Sequence, residues 1–140
     1  MAMDVLIVDD SAAIRKILQR VLRQTEMPIG TIHEAGDGIE ALALLEKQTV
    51  GLILSDINMP NMDGLEATRR IRAMPDTGEV VSIVAMTADA MPEDVTRCLA
   101  AGMNAHMAKP INQAGLLSMV NRALSGDLPA ARPPLEAAAA

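Results

Sequence analysis

The chain has 140 residues, half of them hydrophobic, and this length fits one domain with one core rather than two. Its formal charge of −6 argues against nucleic acid or an anionic membrane as a partner, and the absence of Phe, Tyr and Trp excludes aromatic stacking on bases. The lone Cys98 excludes an internal disulfide, and no apolar run is long enough for a signal peptide or a membrane span, so we expect a cytoplasmic protein.

The first half of the chain alternates short apolar runs with segments of helical periodicity. Residues 5–8 predict a first strand, and Ser11 then predicts the cap of a first helix. Residues 31–35 predict a second strand, and the acidic turn at 37–40 predicts a second helix that runs to about Gln48. The apolar residues of the first helix recur at helical spacing and are expected to face a sheet: Ile14, Ile17, Leu18, Val21 and Leu22.

The second half continues the same alternation. Residues 52–55 are a continuous apolar run, which is typical of a strand covered on both faces. Residues 58–64 are rich in loop formers, Asp63 predicts the cap of a third helix, and residues 75–78 end it. Residues 80–86 predict a fourth strand, and Pro92 begins a fourth helix that ends at Gly102. Residues 105–108 then predict a fifth strand, and residues 113–124 predict a last helix.

The end of the chain has a different composition. Residues 126–140 contain a proline-rich stretch without apolar periodicity, so we expect a flexible tail after a domain of residues 1–125. Residues 135–140 resemble a cloning junction and are excluded from the functional interpretation.

Four of the predicted strands lead into chemically reactive side chains. The first leads into Asp9 and Asp10, the third into Asp56, the fourth into Thr87 and the fifth into Lys109. The alternation of strands and helices predicts a doubly wound α/β fold with a parallel sheet, in which all strands end at one edge. We therefore expect three carboxylates, a hydroxyl and an ammonium group to form a site at that edge.

The order of these residues resembles the receiver domain of two-component response regulators, over residues 4–124. The resemblance implies a five-stranded parallel sheet of order 2-1-3-4-5 with five helices. It also makes a cis peptide bond before Pro110 an expected feature. The matching positions are Asp9 and Asp10 for the acidic pair, Asp56 for the phosphoacceptor, Asn58 for a metal-binding carbonyl, Thr87–Ala88 for the switch threonine and its small successor, and Lys109–Pro110 for the lysine and proline.

The resemblance also implies a function. Asp56 would accept a phosphoryl group from a histidine kinase or a histidine phosphotransfer protein, and the surface of the fourth helix, fifth strand and fifth helix would then act on an unidentified output protein. The chain would be a monomer or a phosphorylation-dependent dimer. It would not be an enzyme in the ordinary sense, although it would take part in its own phosphorylation and slow autodephosphorylation, with Asn58 and Asp89 flanking the phosphoryl position.

Three crowded carboxylates require a cation. Each like-charged pair repels by about 4 kcal/mol at roughly 4 Å and an effective dielectric of about 20. Mg²⁺ prefers oxygen ligands and bridges readily to phosphoryl groups. We assign direct coordination to Asp10, Asp56 and the Asn58 carbonyl, whereas Asp9 positions the metal or its water. Lys109 and Thr87 would neutralise charge on the transferred phosphoryl group.

Two histidines remain to be interpreted. His106 stands where the family commonly has a Tyr or Phe ring that moves together with the threonine. It is either such a switch ring or a half-buried residue of an edge strand. His33 is expected to be an ordinary strand residue, and the two histidines are too far apart in the sequence to suggest a metal site.

Two alternatives stay open beside a stand-alone receiver. The chain is equally compatible with an excised receiver of a hybrid histidine kinase or of a larger regulator. A metal-dependent phosphohydrolase also forms an aspartyl phosphate, but such enzymes typically place two Asp residues two positions apart after the first strand. Asp9 and Asp10 are adjacent, and Asp56 lies on the third strand, which argues against the hydrolase.

Overall fold

Strands and helices alternate strictly along the chain. The computed structural model describes residues 2–75, 81–88 and 91–129. Its strands are β1 (Met3–Val8), β2 (Ile29–Ala35), β3 (Leu52–Asp56), β4 (Ser82–Thr87) and β5 (Ala105–Ala108), and its helices are α1 (Ala12–Gln24), α2 (Gly38–Leu45), α3 (Gly64–Arg72), α4 (Pro92–Ala101) and α5 (Gln113–Ser125).

The five strands form one parallel sheet in the order β2-β1-β3-β4-β5. Val8 lies opposite Ser55, Asp56 opposite Met86, and Thr87 opposite Ala108. The carboxyl ends of β1, β3, β4 and β5 are therefore level with one another. The predicted fold class and strand order are confirmed.

Helices cover both faces of the sheet and produce two hydrophobic clusters. Alternate residues of β1 belong to different clusters, with Val5 on the face of α1 and α5 and Leu6 on the face of α2, α3 and α4. Every residue of β3 is buried, which explains its continuous apolar sequence. The buried helical residues are Leu18, Leu22, Leu116 and Val120 on the first face, and Ala41, Leu45, Leu65, Ile71, Cys98 and Ala101 on the second.

Side-chain caps begin most of the helices. Ser11 accepts a hydrogen bond from the Ile14 amide at 3.3 Å, and Asp63 accepts one from the Glu66 amide at 2.8 Å, as predicted. α4 starts with a proline in its first turn and ends at Gly102, whose φ of 111° is left-handed. These signals fix where the helices begin and where α4 ends.

Some predicted boundaries differ from the structure. β1 and β2 both begin two residues earlier than expected, because the Met3 amide bonds to the carbonyl of Pro28 at 2.9 Å and extends their pairing. α2 ends at Leu45 rather than near Gln48, since residues 46–48 are exposed and have no core to pack against. The predicted start of β4 at residue 80 and the expected helix stop at residues 76–78 lie outside the described part of the chain.

One member of the predicted α1 stripe does not face the sheet. Ile17 is 56% exposed, whereas Leu18 and Leu22 are buried. Ile17 lies at the margin of the stripe, and the sheet covers only the arc centred on the two leucines. The result is an apolar side chain on the surface beside the loop after β5.

The first residues of the expected tail contact the domain. Leu128 packs against the cluster on the α1 and α5 face, and the side-chain amide of Asn104 donates to the backbone carbonyl of Pro129 at 2.9 Å. Residues 130–140 lie outside the described range, so the domain boundary after residue 125 stays a prediction. Within residues 2–75, 81–88 and 91–129, every helix is too short or too polar to cross a membrane.

Candidate functional site

Three carboxylates form a cluster at the carboxyl edge of the sheet. Asp9 and Asp10 follow β1 and Asp56 ends β3, and these two strands are neighbours. One carboxylate oxygen of each residue lies within 4.8 Å of the others. Asp9 is fully buried and Asp56 is 8% exposed, whereas Asp10 is exposed. The structure thus brings the three predicted acids together.

Lys109 reaches this cluster from the end of β5. Its Nζ donates a hydrogen bond to Asp9 Oδ2 at 3.1 Å and lies 3.3 Å from Asp56 Oδ1. Its backbone amide donates to the Thr87 carbonyl at 2.7 Å, which fixes the start of the following loop against β4. The peptide bond to Pro110 is cis, as expected. One ammonium group is therefore shared by two buried carboxylates.

The charges in the cluster are not balanced. Burial raises the pKa of Asp56, and the neighbouring charge of Asp9 raises it further, while Lys109 offsets only a part. Burial alone lowers the pKa of Lys109, but its hydrogen bond to Asp9 and the charge of Asp56 outweigh this effect, so the pKa is raised overall. Lys109 thus keeps its proton, but its positive charge balances the negative charge at Asp56 only in part.

Asp9 is held more firmly than the other two acids. Its Oδ1 accepts from the Ser11 amide at 2.9 Å, and its Oδ2 accepts from Lys109. Its carbonyl accepts from the guanidinium of Arg15, which also donates to Glu34 at 3.1 Å. Arg15 could not be identified from the sequence, because the contact of its guanidinium with Asp9 depends on how α1 packs over the end of β1.

Gly64 is a second residue that the sequence interpretation did not identify as part of the site. Its amide donates to the Ile57 carbonyl at 2.8 Å, and a Cβ on Gly64 would lie 2.2 Å from the Asp56 carbonyl. Only glycine permits this close approach of the two backbones. The only sequence signal was its place directly after Asp63 in a loop-forming segment. Gly64 therefore helps to fix the backbone that carries Asp56.

Thr87 and Asn58 line the same cavity near the carboxyl edge of the sheet. Thr87 is buried at the end of β4, and Asn58 is exposed in the loop that follows β3. This cavity has a volume of about 40 Å³. Asp94 and Arg97 of α4, whose charged groups are 3.6 Å apart, form another part of its wall. A cavity of this size has room for a water molecule.

The remaining predicted residues lie farther from the chemistry. His106 is half-buried on the edge strand β5, in register with Ala85, and no contact in the described structure joins it to the acidic cluster. His33 is a half-buried residue of β2, as expected, and its Nε2 has no hydrogen-bond partner among the described residues. Asp89 lies outside the described residues.

The donor set of the cluster fits a hard divalent cation. It supplies carboxylate oxygens without sulfur or imidazole nitrogen, and such ligands suit Mg²⁺ rather than Zn²⁺ or Cu²⁺. Among the described residues, Asp9, Asp10 and Asp56 are the one group of acidic, Cys or His side chains close enough to share an ion. The excess negative charge at Asp56 would favour cation binding in the same place.

Comparison with known proteins gives one consistent result. The chain matches the family of the response regulator receiver domain over residues 5–121. It is 39% identical over 109 residues to the sensor histidine kinase RcsC of Salmonella typhimurium, which covers 78% of this chain but only 11% of RcsC. It is 38% identical over 120 residues to a 14.6 kDa protein of Leptolyngbya boryana, covering 86% of this chain and 88% of that protein.

Solved structures show the same fold. The chemotaxis response regulator CheY4 of Vibrio cholerae superimposes with a TM-score of 0.79 at 32% identity, covering 88% of this chain and 99% of CheY4. The receiver domain of the sensor histidine kinase PA1611 of Pseudomonas aeruginosa, solved with magnesium in its active-site cleft, has a TM-score of 0.78 at 34% identity, with coverages of 89% and 99%. Together with the carboxylate cluster and its lysine, these matches show that the chain belongs to the response regulator receiver domain family, the phosphoacceptor domains of two-component signalling.

Proposed function

We propose that Asp56 is the phosphoacceptor of this receiver domain. The observation that carries the proposal is the position of Asp56, which is buried at the end of β3 and 3.3 Å from the Lys109 ammonium. Both carboxylate oxygens of Asp9 accept hydrogen bonds, one from the Ser11 amide and one from Lys109, so Asp9 is less free to act as a nucleophile. Asp10 is exposed and lies outside this charged pair.

The residues around Asp56 would also hold Mg²⁺. Asp10, Asp56 and the carbonyl of Asn58 would bind the ion, and Asp9 would act indirectly, because both of its carboxylate oxygens already accept hydrogen bonds. When bound, the ion neutralises negative charge on the phosphoryl oxygens and on the acids. The spare negative charge of the cluster and its all-oxygen donor set support this assignment.

Phosphoryl transfer would then be a displacement at phosphorus. A carboxylate oxygen of Asp56 forms the new O–P bond while the bond from the donor's imidazole nitrogen to phosphorus breaks, and that nitrogen keeps the electron pair. Lys109 is already within reach of the acceptor oxygen, and the hydroxyl of Thr87 can donate to the phosphoryl group from β4. The donor would be a histidine kinase or a histidine phosphotransfer protein.

The conformational response to phosphorylation would begin at Thr87, whose hydroxyl can donate to the phosphoryl group. Taking a two-state equilibrium from 1:99 to 99:1 needs about 5.5 kcal/mol, more than one hydrogen bond supplies. Lys109, Thr87 and repacking of the adjoining α4-β5-α5 surface would therefore act together, with His106 of β5 as the candidate ring. Of the apolar residues in this region, Cys98, Met103 and Met107 are buried, whereas Val95 and Met119 are partly exposed and could contact an output protein.

Dephosphorylation would be slow and intrinsic. The cavity lined by Asn58 and Thr87 could hold the attacking water, and its small volume of about 40 Å³ limits the number of water molecules it contains. The phosphohydrolase alternative gains no support, because Asp56 lies on β3 and the acidic pair after β1 is adjacent in sequence. A receiver within a longer regulator or hybrid kinase has the same chemistry, and the proposed setting is the cytoplasm.

Incubation with a small phosphodonor tests the proposal. Acetyl phosphate with Mg²⁺ should modify the full chain once, and mass analysis of peptides should place the phosphoryl group on Asp56. Modification should disappear with a metal chelator or in Asp56→Asn. Asp63→Asn is the matched control, since Asp63 caps α3 in the same region and asparagine caps equally well. Retained modification in Asp56→Asn would refute the assignment.

A second expectation concerns how the donor protein docks. Ile14, Ile17, Pro110 and Ile111 line an apolar cavity of about 400 Å³ that borders Lys109. Because a donor histidine has to reach Asp56, the donor protein covers this rim of the cleft and buries Ile17. We expect Ile17→Glu to slow phosphorylation by a cognate histidine phosphoprotein by about tenfold or more. Phosphorylation by acetyl phosphate should stay unchanged, and an equal slowing of both reactions would contradict the docking surface.

A further inference from the structure

The loop that carries Asn58 is fastened to the start of α2. The Asn61 side-chain amide donates to Asp37 Oδ2 at 2.8 Å, and Asp37 Oδ1 accepts from the Glu40 amide at 2.9 Å. One carboxylate therefore caps α2 and holds the loop after β3 at the same time. Its hydrogen bonds with Asn61 and Glu40 also lower the pKa of Asp37, which keeps this carboxylate ionised.

The loop is shaped to meet this contact. Asn61 has a φ of 67°, a left-handed conformation that asparagine adopts more easily than most residues. The Met62 amide donates to the Pro60 carbonyl at 2.7 Å, and the Gly64 amide donates to the Ile57 carbonyl at 2.8 Å. These hydrogen bonds join the two ends of the segment from Ile57 to Gly64, so a displacement of Asn61 also displaces the rest of the segment.

A backbone contact reinforces the side-chain bond. The Gly38 amide donates to the Met62 carbonyl at 3.2 Å. A Cβ on Gly38 would lie 2.9 Å from that carbonyl and 3.0 Å from Ala67 Cβ, so only glycine lets α2 come this close. Two independent contacts therefore join the first turn of α2 to the loop.

We propose that Asp37 and Asn61 are positioning residues for the divalent cation, because their hydrogen bond fixes the loop after β3 that carries the Asn58 carbonyl. The inference rests on the proposed function, which gives Asn58 its role as a ligand. Neither Asp37 nor Asn61 contacts the cluster in the described structure, so their effect on the cation is transmitted through the loop.

A carboxylate at position 61 separates the effect of charge from the effect of the hydrogen bond. In Asn61→Asp, the new carboxylate faces the carboxylate of Asp37 and the hydrogen bond is lost. A purely electrostatic effect of one more negative charge would tighten Mg²⁺ binding, whereas loss of the hydrogen bond loosens it. We expect the dissociation constant for Mg²⁺ to rise by about tenfold. This is the lower end of the loss in metal affinity that is typical when a residue that orients a metal ligand is substituted.

An exchange of the two residues provides the rescue. The double variant Asp37→Asn/Asn61→Asp keeps the net charge, restores an amide-to-carboxylate hydrogen bond in the opposite direction and keeps a capping oxygen for α2. Its dissociation constant should return to within about twofold of the original value. Asn61→Gly keeps the left-handed backbone without added charge, and it should also bind Mg²⁺ more weakly if Asn61→Asp fails to fold.

Calorimetric titration of the full chain with Mg²⁺ gives the readout, and Asp63→Asn is the control for a capping carboxylate near the same loop. Unchanged or tighter binding in Asn61→Asp, no rescue in the double variant, or unchanged binding in Asn61→Gly would each overturn the inference. If the unsubstituted chain binds no Mg²⁺, the proposed metal site itself is refuted. Normal Mg²⁺ binding and phosphorylation with no effect of these variants would refute only the positioning role.

Discussion

Replacing Lys109 with methionine should lower the free energy of unfolding by about 3 kcal/mol in buffer without Mg²⁺. Breaking a buried ion pair typically costs about 3–5 kcal/mol, and the lower value applies because the Lys109 side chain is 20% exposed. The loss arises because Asp9 and Asp56 stay buried at the sheet edge after their shared cation is gone. Methionine keeps most of the apolar stem of Lys109, which lines the same cavity as Ile14 and Ile17.

Urea unfolding with and without Mg²⁺ measures this effect. Mg²⁺ should stabilise Lys109→Met more than the unsubstituted chain, since the ion then balances acids that have no ammonium group nearby. Lys16→Met is the control, because Lys16 is exposed on α1 and its loss should change stability by less than about 0.5 kcal/mol. Equal stability of the Lys109 and Lys16 variants would contradict the electrostatic account of the site.

Asp56→Asn should have the opposite effect and stabilise the domain at neutral pH, because the negative charge of Asp56 is buried and only partly offset by Lys109. The pKa of Asp56 is raised in the folded chain, chiefly by burial and then by Asp9, above the ordinary value of 3.8. The folded state therefore binds the proton of Asp56 more tightly than the unfolded state does. Its contribution to stability is fully present below pH 3.8 and is lost as the pH rises through the raised pKa.

The pH dependence of unfolding checks the sign. The stability advantage of Asp56→Asn should be small near pH 3.8 and should increase as the pH rises towards neutrality. Glu66→Gln is a control of opposite sign, because hydrogen bonding to Arg70 lowers the pKa of Glu66 below 4.5, so its contribution is lost as the pH falls. An advantage of Asp56→Asn that is constant or shrinks with rising pH would contradict the direction given for Asp56.

The strand order was implied by the resemblance to the receiver family, whereas the meeting of the acids with the lysine followed from the sequence for a simple geometric reason. Parallel strands end at one edge, so residues that directly follow apolar runs are brought together whatever their separation along the chain. Asp9, Asp56 and Lys109 each directly follow or end such a run. Local signals were equally reliable at Ser11 and Asp63, since a helix cap involves residues only three positions apart.

Other features could not be predicted because they depend on how distant elements pack. Ile17 belongs to the same apolar stripe as the buried Leu18 and Leu22, but it lies at the margin of the stripe and stays exposed. Arg15 has no motif around it, and its bond to the Asp9 carbonyl exists only once α1 lies over β1. The need for glycine at position 64 comes from the approach of α3 to the end of β3, which no local pattern encodes.

The position of Lys109 also determines when the centre becomes competent during protein synthesis. Asp9 and Lys109 are 100 residues apart, so a ribosome has made nearly the whole domain before the ammonium group is available. Until then the acids near the amino terminus have no partner from β5, and the long-range closure that unites them is a slow step by its topology. An incomplete nascent chain therefore lacks one of the groups to which we assign a part in phosphoryl transfer.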